Sequence, residues 1–256
     1  MNKSTQLQQA PVARRLKQLG ISVLGAMALA SAAPAMADVI TFDGPLPDFP
    51  IFGGGESFTS SGYTFHVFDN PLSVSGTGLA GAVLNGNDPF VCSNAVCPSG
   101  NSTSYYAGLN DGSVKMTGSD VRGFRLSAVD FGFISPLAGQ PAGLLPGKLT
   151  ITAEKVGGGT VYAELEFGAL DNSSASPFLH ATLDSQFGNA AYSSVVFSSC
   201  VYDSANGCSQ GKNQAQFGID NIEVAAVPEP QTYAMMGLGL AAIGLLARRR
   251  RASHNA

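Results

Sequence analysis

Lys148 to Phe167 reads KLTITAEKVGGGTVYAELEF, and its pattern decides the fold. Leu149, Ile151 and Ala153 alternate with Thr150, Thr152 and Glu154, up to a run of glycines, Gly157-Gly158-Gly159. Beyond the glycines, Val161, Ala163, Leu165 and Phe167 alternate with Tyr162, Glu164 and Glu166. A side-chain period of two puts all the apolar residues on one face. The stretch therefore predicts an antiparallel hairpin with one face in a core and the other in water.

The same grammar runs outward through most of the chain. Val39 to Phe42 predicts an opening strand, and Tyr63, Phe65 and Val67 share one face of another. Further strands are predicted at Leu79 to Leu84, Val114 to Met116, Phe178 to Leu183 and Ser194 to Ser198, and Asn110-Asp111-Gly112 is a turn signal. Between Asn70 and Ser104 the chain otherwise reads as loop. Phe124 to Phe133 is a longer strand whose apolar phase moves from Phe124 and Leu126 to Val129, Phe131 and Phe133. A phase change moves side chains to the opposite face, which predicts a β-bulge near Ser127-Ala128. Gln216 to Val224 slips in the same way, from Phe217 and Ile219 to Ile222 and Val224, with Asp220-Asn221 at the slip. No stretch between Asp38 and Val227 sustains helical periodicity. The fold class is all-β: a jelly-roll-like antiparallel β-sandwich, with an immunoglobulin-like topology as the alternative.

Both ends of the chain stand outside that fold. Lys3, Arg14, Arg15 and Lys17 form a basic region, Leu19 to Ala33 an apolar one, and Ala35-Met36-Ala37 a small-x-small cleavage site. Residues 1–37 read as a signal peptide and Asp38 as the mature N-terminus. Arg14-Arg15 raises twin-arginine export, but Leu16-Lys17-Gln18 fits that motif poorly, so Sec export is expected. At the other end Val227-Pro228-Glu229-Pro230 precedes sixteen uncharged residues, Thr232 to Ala247, and then Arg248-Arg249-Arg250-Arg251. The prolines keep the segment before the apolar run extended. As a helix that run would reach about 24 Å, a short membrane span, and the arginines would hold its end in the cytoplasm. The order of these parts resembles the PEP-CTERM sorting signal of Gram-negative bacteria. That resemblance implies a sorting signal over residues 227–256 whose Thr232 to Ala247 form a single transmembrane helix, cutting near Pro-Glu-Pro by the membrane peptidase exosortase, and a cell-surface or extracellular destination tied to exopolysaccharide and biofilm. Gln216-Phe217 with Asp220 also resembles the QFxxD subgroup of these proteins.

The segment between, residues 38–226, is the predicted extracellular domain. All eighteen acidic residues lie between Asp38 and Glu229, against six basic ones there: Lys115, Arg122, Arg125, Lys148, Lys155 and Lys212. Such a negative domain repels nucleic acid and suits a divalent cation. Four cysteines in an exported chain suggest disulfides, and the local pairs Cys92/Cys97 and Cys200/Cys208 each bracket a turn-rich loop. Neither spacing is that of a zinc site.

Asp220 and Asn221 admit two readings. Their oxygens could turn towards a structural calcium, with Asp43 as a second carboxylate, as in the carbohydrate-binding jelly rolls that this arrangement resembles. Equally, they could satisfy backbone groups at the bulge. Gly76 to Gly81 matches G-x-G-x-x-G, but Asn85 to Pro89 ends any following helix, so a turn is expected there. His66 and His180 are the histidines of the domain, and no nucleophile elbow accompanies them. Tyr105-Tyr106, Tyr162 and Tyr202 are the candidate sugar-stacking residues, in a chain without tryptophan. Asn101-Ser102-Thr103 and Asn172-Ser173-Ser174 mark exposed, turn-prone loops. The first functional reading is a non-enzymatic surface protein, and the second is a carbohydrate-binding module for an exopolysaccharide. The third is a secreted hydrolase, which requires a pocket joining a histidine to a serine and a carboxylate.

Overall fold

The computed structural model describes residues 37–44, 50–72, 78–88, 95–120, 122–205, 207–227 and 234–245. In chain order the strands are β1 (Ala37–Ile40), β2 (Ile51–Phe52), β3 (Ser57–Ser60), β4 (Tyr63–Phe68), β5 (Gly81–Asn85), β6 (Ser104–Gly108) and β7 (Ser113–Gly118). There follow β8 (Phe124–Phe133), β9 (Gly147–Lys155), β10 (Thr160–Glu166) and β11 (Leu179–Thr182). A one-turn helix α1 (Ser185–Gly188) precedes β12 (Tyr192–Tyr202), β13 (Cys208–Ser209) and β14 (Phe217–Ala226). All of these lie in one compact unit, Met36–Val227. A helix α2 spans residues 234–245.

The strands form two antiparallel layers. One runs β2-β5-β6-β14-β8-β11, and the other β3-β4-β7-β12-β9-β10. A single pair, Tyr192 with Phe124, bridges them. β14 is flanked along its length by β8; on its other side lie β6 and, further along, β1. The two inner faces interdigitate as in a sandwich. Tyr63 of β4 packs edge-on to Phe124 of β8 at 5.3 Å, and Phe58 of β3 stacks on Tyr106 of β6 at 5.8 Å. Phe131 and Phe133 meet Phe167 at 5.9 and 5.4 Å. The expected all-β sandwich is what the chain forms.

The hairpin over 148–167 is formed in the expected phase. Leu149 pairs with Leu165, Ile151 with Ala163 and Ala153 with Val161. Leu149, Ile151 and Ala153 are fully buried, whereas their partners on β10 are half-buried because β10 is the edge of its layer. Both bulges are present as well. Between the pairs Asp220–Asp130 and Glu223–Ala128, β14 carries one more residue than β8. Between Glu223–Ala128 and Val224–Leu126 the surplus moves to β8, at Ser127. The two slips cancel, so the strands leave the irregular zone in the register in which they entered it.

The structure adds one strand that the sequence left unassigned and corrects the reading of one loop. Ser57–Ser60 and Ser104–Gly108 are strands, and Tyr105-Tyr106 therefore lie in β6 rather than in a loop. Tyr106 faces the main core, while Tyr105 joins a smaller cluster with Ala107 and Ile134 on the outer face of the layer. Phe178 covers Tyr105 edge-on at 5.4 Å. Both rings are buried, so neither offers a stacking surface. After Gly78 the chain enters strand β5 with no intervening helix, which ends the dinucleotide reading of Gly76 to Gly81.

Sequence read Asn110-Asp111-Gly112 only as a turn. Both Asn110 and Asp111 have positive φ, 52° and 60°, and Gly112 N–H closes the turn on Leu109 C=O. The buried Asp111 carboxylate then accepts backbone N–H bonds from Gly211, Asn213 and Ala215, each at 2.7 Å, tying down the approach to β14. Asp111→Ala strands three donors and should cost about 3 kcal/mol of unfolding free energy, read in urea by tyrosine fluorescence.

Candidate functional site

Register places the polar residues of the site. On β8, Asp130 stands opposite His180 of β11 on one side and Asp220 of β14 on the other. Directly opposed residues point to the same face. Phe131 and Ile219 point into the core, so His180, Asp130 and Asp220 form a row across the outer face. The β14 bulge adds Asn221 to this row, with φ at 45°.

Two hydrogen-bonded groups result. His180 Nδ1 lies 2.7 Å from Asp130 Oδ1, and Asn221 Nδ2 donates to Asp130 Oδ2 at 2.8 Å. The second group centres on Asp220, which has no solvent exposure. Its Oδ2 accepts from Asn101 Nδ2 and lies within reach of the Thr103 hydroxyl, both at 2.9 Å. Its Oδ1 is buried without a partner. Burial pushes the Asp220 carboxyl above the ordinary carboxylate range. The hydrogen bonds from Asn101, the Asn221 backbone and Thr103 oppose that shift, and the charge of Asp43 adds to it. Asp43 itself accepts from the Ser104 N–H at 2.8 Å, just where β1 ends and β6 begins beside β14.

These groups border a cavity of about 330 Å³ lined by Gly100, Asn101, Ser102, Thr103, Asp130, Phe178, Leu179, His180 and Asn221. The juxtaposition asked of a hydrolase is thus present in outline, since Ser102, His180 and Asp130 share one cavity. The His180 ring is hydrogen-bonded to the Asp130 carboxylate, however, and Ser102 uses its backbone carbonyl to hold Asn87 Nδ2. Among the described residues no serine hydroxyl bonds that ring. His66 pairs instead with Ser57 Oγ at 2.7 Å on the exposed surface of β3 and β4.

The expected cation residues are only partly gathered. Asp43 lies near enough for its charge to raise the Asp220 carboxyl, the smallest of the causes of that shift, while the Asn221 amide turns to Asp130. The orphaned Asp220 Oδ1 is the atom a cation would satisfy. Among the described residues no three or more His, Cys, Asp or Glu side chains cluster as a metal site. A calcium ion, which takes about six to eight oxygens, would draw most of its shell from amides, carbonyls and water. Without any ion, the side chains of Asn101 and Thr103 already satisfy one oxygen of Asp220.

Cys200 and Cys208 form a disulfide with Cα atoms 5.4 Å apart, closing the turn between β12 and β13. Cys97 is disulfide-bonded, and Cys92 lies outside the described residues. Tyr162 is exposed on the wet face of β10, and the Tyr202 hydroxyl donates to Glu166 at 3.2 Å. Of the expected signal-cleavage residues, Ala35 is outside the described residues, while Ala37 and Asp38 begin β1. Pro228-Glu229-Pro230 and Arg248 to Arg251 are also outside them, and Val227 ends the described β-unit. Among the described residues no helix is long and apolar enough to cross a membrane. Of the predicted apolar span, residues 234–245 are helical, and all but the half-buried Gly239 are exposed, Met235, Met236 and Leu238 among them.

Residues 226–251 match the model of the PEP-CTERM protein-sorting motif. The chain is therefore an all-β protein that carries a C-terminal sorting signal, as its terminus suggested. The matched residues do not include Gln216 to Asp220, so the QFxxD subgroup stays a resemblance. No curated protein sequence matches the chain. Among solved structures, a DUF4465 family protein from Bacteroides caccae is 15% identical with a TM-score of 0.46, covering 74% of this chain and 98% of its own. A DUF4465 protein from Bacteroides ovatus is 9% identical with a TM-score of 0.42, covering 76% and 100%. A CBM51 module of Clostridium perfringens solved with methyl-galactose is 7% identical with a TM-score of 0.28, covering 56% and 86%. These are loose likenesses and bear on neither activity nor ligand.

The raised Asp220 carboxyl has a pH signature of definite sign. A folded pKa above the unfolded one means the folded chain holds a proton the unfolded chain has released, so this group's contribution falls as pH rises through that interval. In the presence of a chelator, Asp220→Asn should gain stability relative to the parent as pH rises from about 4 towards neutrality. Urea unfolding at each pH reads the difference.

Proposed function

We propose that this chain is an exported, non-enzymatic surface or matrix protein of a Gram-negative bacterium, processed by exosortase and associated with exopolysaccharide in a biofilm. The observation that carries the reading is the ordered terminus, Pro228-Glu229-Pro230, the apolar run and Arg248 to Arg251, coinciding with the matched motif. Sec export through residues 1–37 delivers the sandwich across the membrane. The apolar run holds it there until exosortase cuts near Pro-Glu-Pro. Intact mass of protein recovered from its host tests this. The expected species runs from Asp38 to near Pro230, and a species still carrying Thr232 to Arg251 overturns the processing step.

Within this reading, Asp43 and Asp220 hold a structural calcium at the junction of β1, β6 and β14. Support comes from the buried, unpartnered Asp220 Oδ1 beside a second carboxylate. A bound ion stabilises the folded state by mass action, about 2.7 kcal/mol at a hundredfold excess over Kd. Calcium should therefore raise the melting temperature of the parent and leave that of Asp220→Asn unchanged. An equal response of the two proteins would sink the site.

A second reading, binding of a polysaccharide by the β-domain, is favoured by the polar cavity beside Asn221.

A further inference from the structure

We propose that the cavity between Asp130, His180, Asn221 and Phe178 binds one ring of a neutral, hydroxyl-rich ligand: a sugar residue of a polysaccharide. The inference deepens the second reading above and rests on it for the source of the sugar. Its physical basis is separate.

Asp130 is the anchor of the cavity. His180 fixes its Oδ1 at 2.7 Å and Asn221 fixes its Oδ2 at 2.8 Å, so the carboxylate is oriented without being used up, since each oxygen keeps acceptor capacity. The groups that orient it have functions to spare. Asn221 spends its amide N–H on Asp130 and retains its carbonyl oxygen, while His180 spends Nδ1 and retains Nε2. Fixed acceptors thus stand beside a ring nitrogen able to donate or accept. Adjacent hydroxyls of a sugar, each both donor and acceptor, match that set.

Backbone geometry points to the same place. Asn221 is held at φ 45° inside a strand, a conformation that costs energy and persists only where the surroundings impose it. Its effect is to aim the amide at Asp130 beside the cavity, the re-aiming that a bulge performs. The volume of about 330 Å³ lies at the lower end of ligand pockets, fitting a single ring. Phe178 supplies an apolar wall for ring C–H groups and is itself braced edge-on by Tyr105. Among the described residues no lysine or arginine lines the cavity, and the domain is strongly negative in sequence, so phosphate, sulfate and uronate are disfavoured.

The test uses the full-length chain in detergent, titrated calorimetrically with methyl glycosides of glucose, galactose, mannose and N-acetylglucosamine. The methyl glycoside of galacturonic acid, its carboxylate free, serves as the anionic control. At least one neutral glycoside should saturate a single site. Affinity should fall about tenfold or more in His180→Ala and in Asn221→Gly, the loss expected for a hydrogen bond within a charged network. Asn221→Gly keeps the positive φ, and His180 is exposed on edge strand β11, so both variants should retain the parent circular dichroism. Ser57→Ala, on the exposed surface of β3, should bind as the parent does. Failure of all four glycosides to saturate, undiminished binding in both variants, or tighter binding of the galacturonate would each overturn the proposal. Release of free sugar and methanol, lost in Ser102→Ala, would replace it with a hydrolase. Because none of these readouts depends on C-terminal processing, an unprocessed chain in the mass measurement overturns sorting alone.

Discussion

The structure depends on a constraint shared by two strands. β8 and β14 lie side by side in the middle of one layer, and each changes its buried face part-way along. A phase change in one strand alone would leave its remaining side chains out of step with its neighbour's. Here β14 gains a residue at Asn221-Ile222 and β8 gains one at Ser127, so the ladder resumes its register. Phe217 and Ile219 before the slip, and Ile222 and Val224 after it, all reach the core. The polar residues at the slip are left on the outer face. A packing solution of the core thus creates the polar site.

The parts of the fold governed by local alternation were legible in the sequence. The 148–167 hairpin and both bulges follow from the period of two and its interruptions. β3 and β6 were not legible, for different reasons. Ser57–Ser60 is four residues long with one buried side chain, Phe58, too short for alternation to register. Ser104–Gly108 is buried on both faces, so Tyr105, Tyr106 and Ala107 form a continuous run with no polar beat, and the Asn- and Ser-rich stretch before it reads as loop. Of the site, Asp220-Asn221 were flagged by the phase slip and Asp43 by its place at the end of the first strand. Asp130 and His180 were not brought together, because fifty residues separate them and only the β8–β11 register unites them. One signal was available: Asp130 is a lone carboxylate within the apolar half of β8.

The chain divides its information unevenly. Its C-terminal end carries a sorting signal readable as a linear motif, whose parts follow one another in sequence order. The sandwich carries its chemistry in side chains converging from distant strands, which no linear pattern announces. Asn101 illustrates the difference. As part of Asn101-Ser102-Thr103 it marks a turn-prone loop, yet in the fold its amide holds the one buried carboxylate of the sheet's outer face.

The antiparallel pairing of β1 with β14 has a mechanical consequence. Ala37 lies opposite Ala225, so the chain enters and leaves the β-domain at the same corner. A pull applied through the residues after Ala226 runs along β14, a strand held by β8 on one flank and by β1 and β6 on the other. Such a load acts lengthwise on many ladder hydrogen bonds together instead of peeling them one by one from an edge. A domain pulled by its C-terminus is therefore held through a strand paired on both sides.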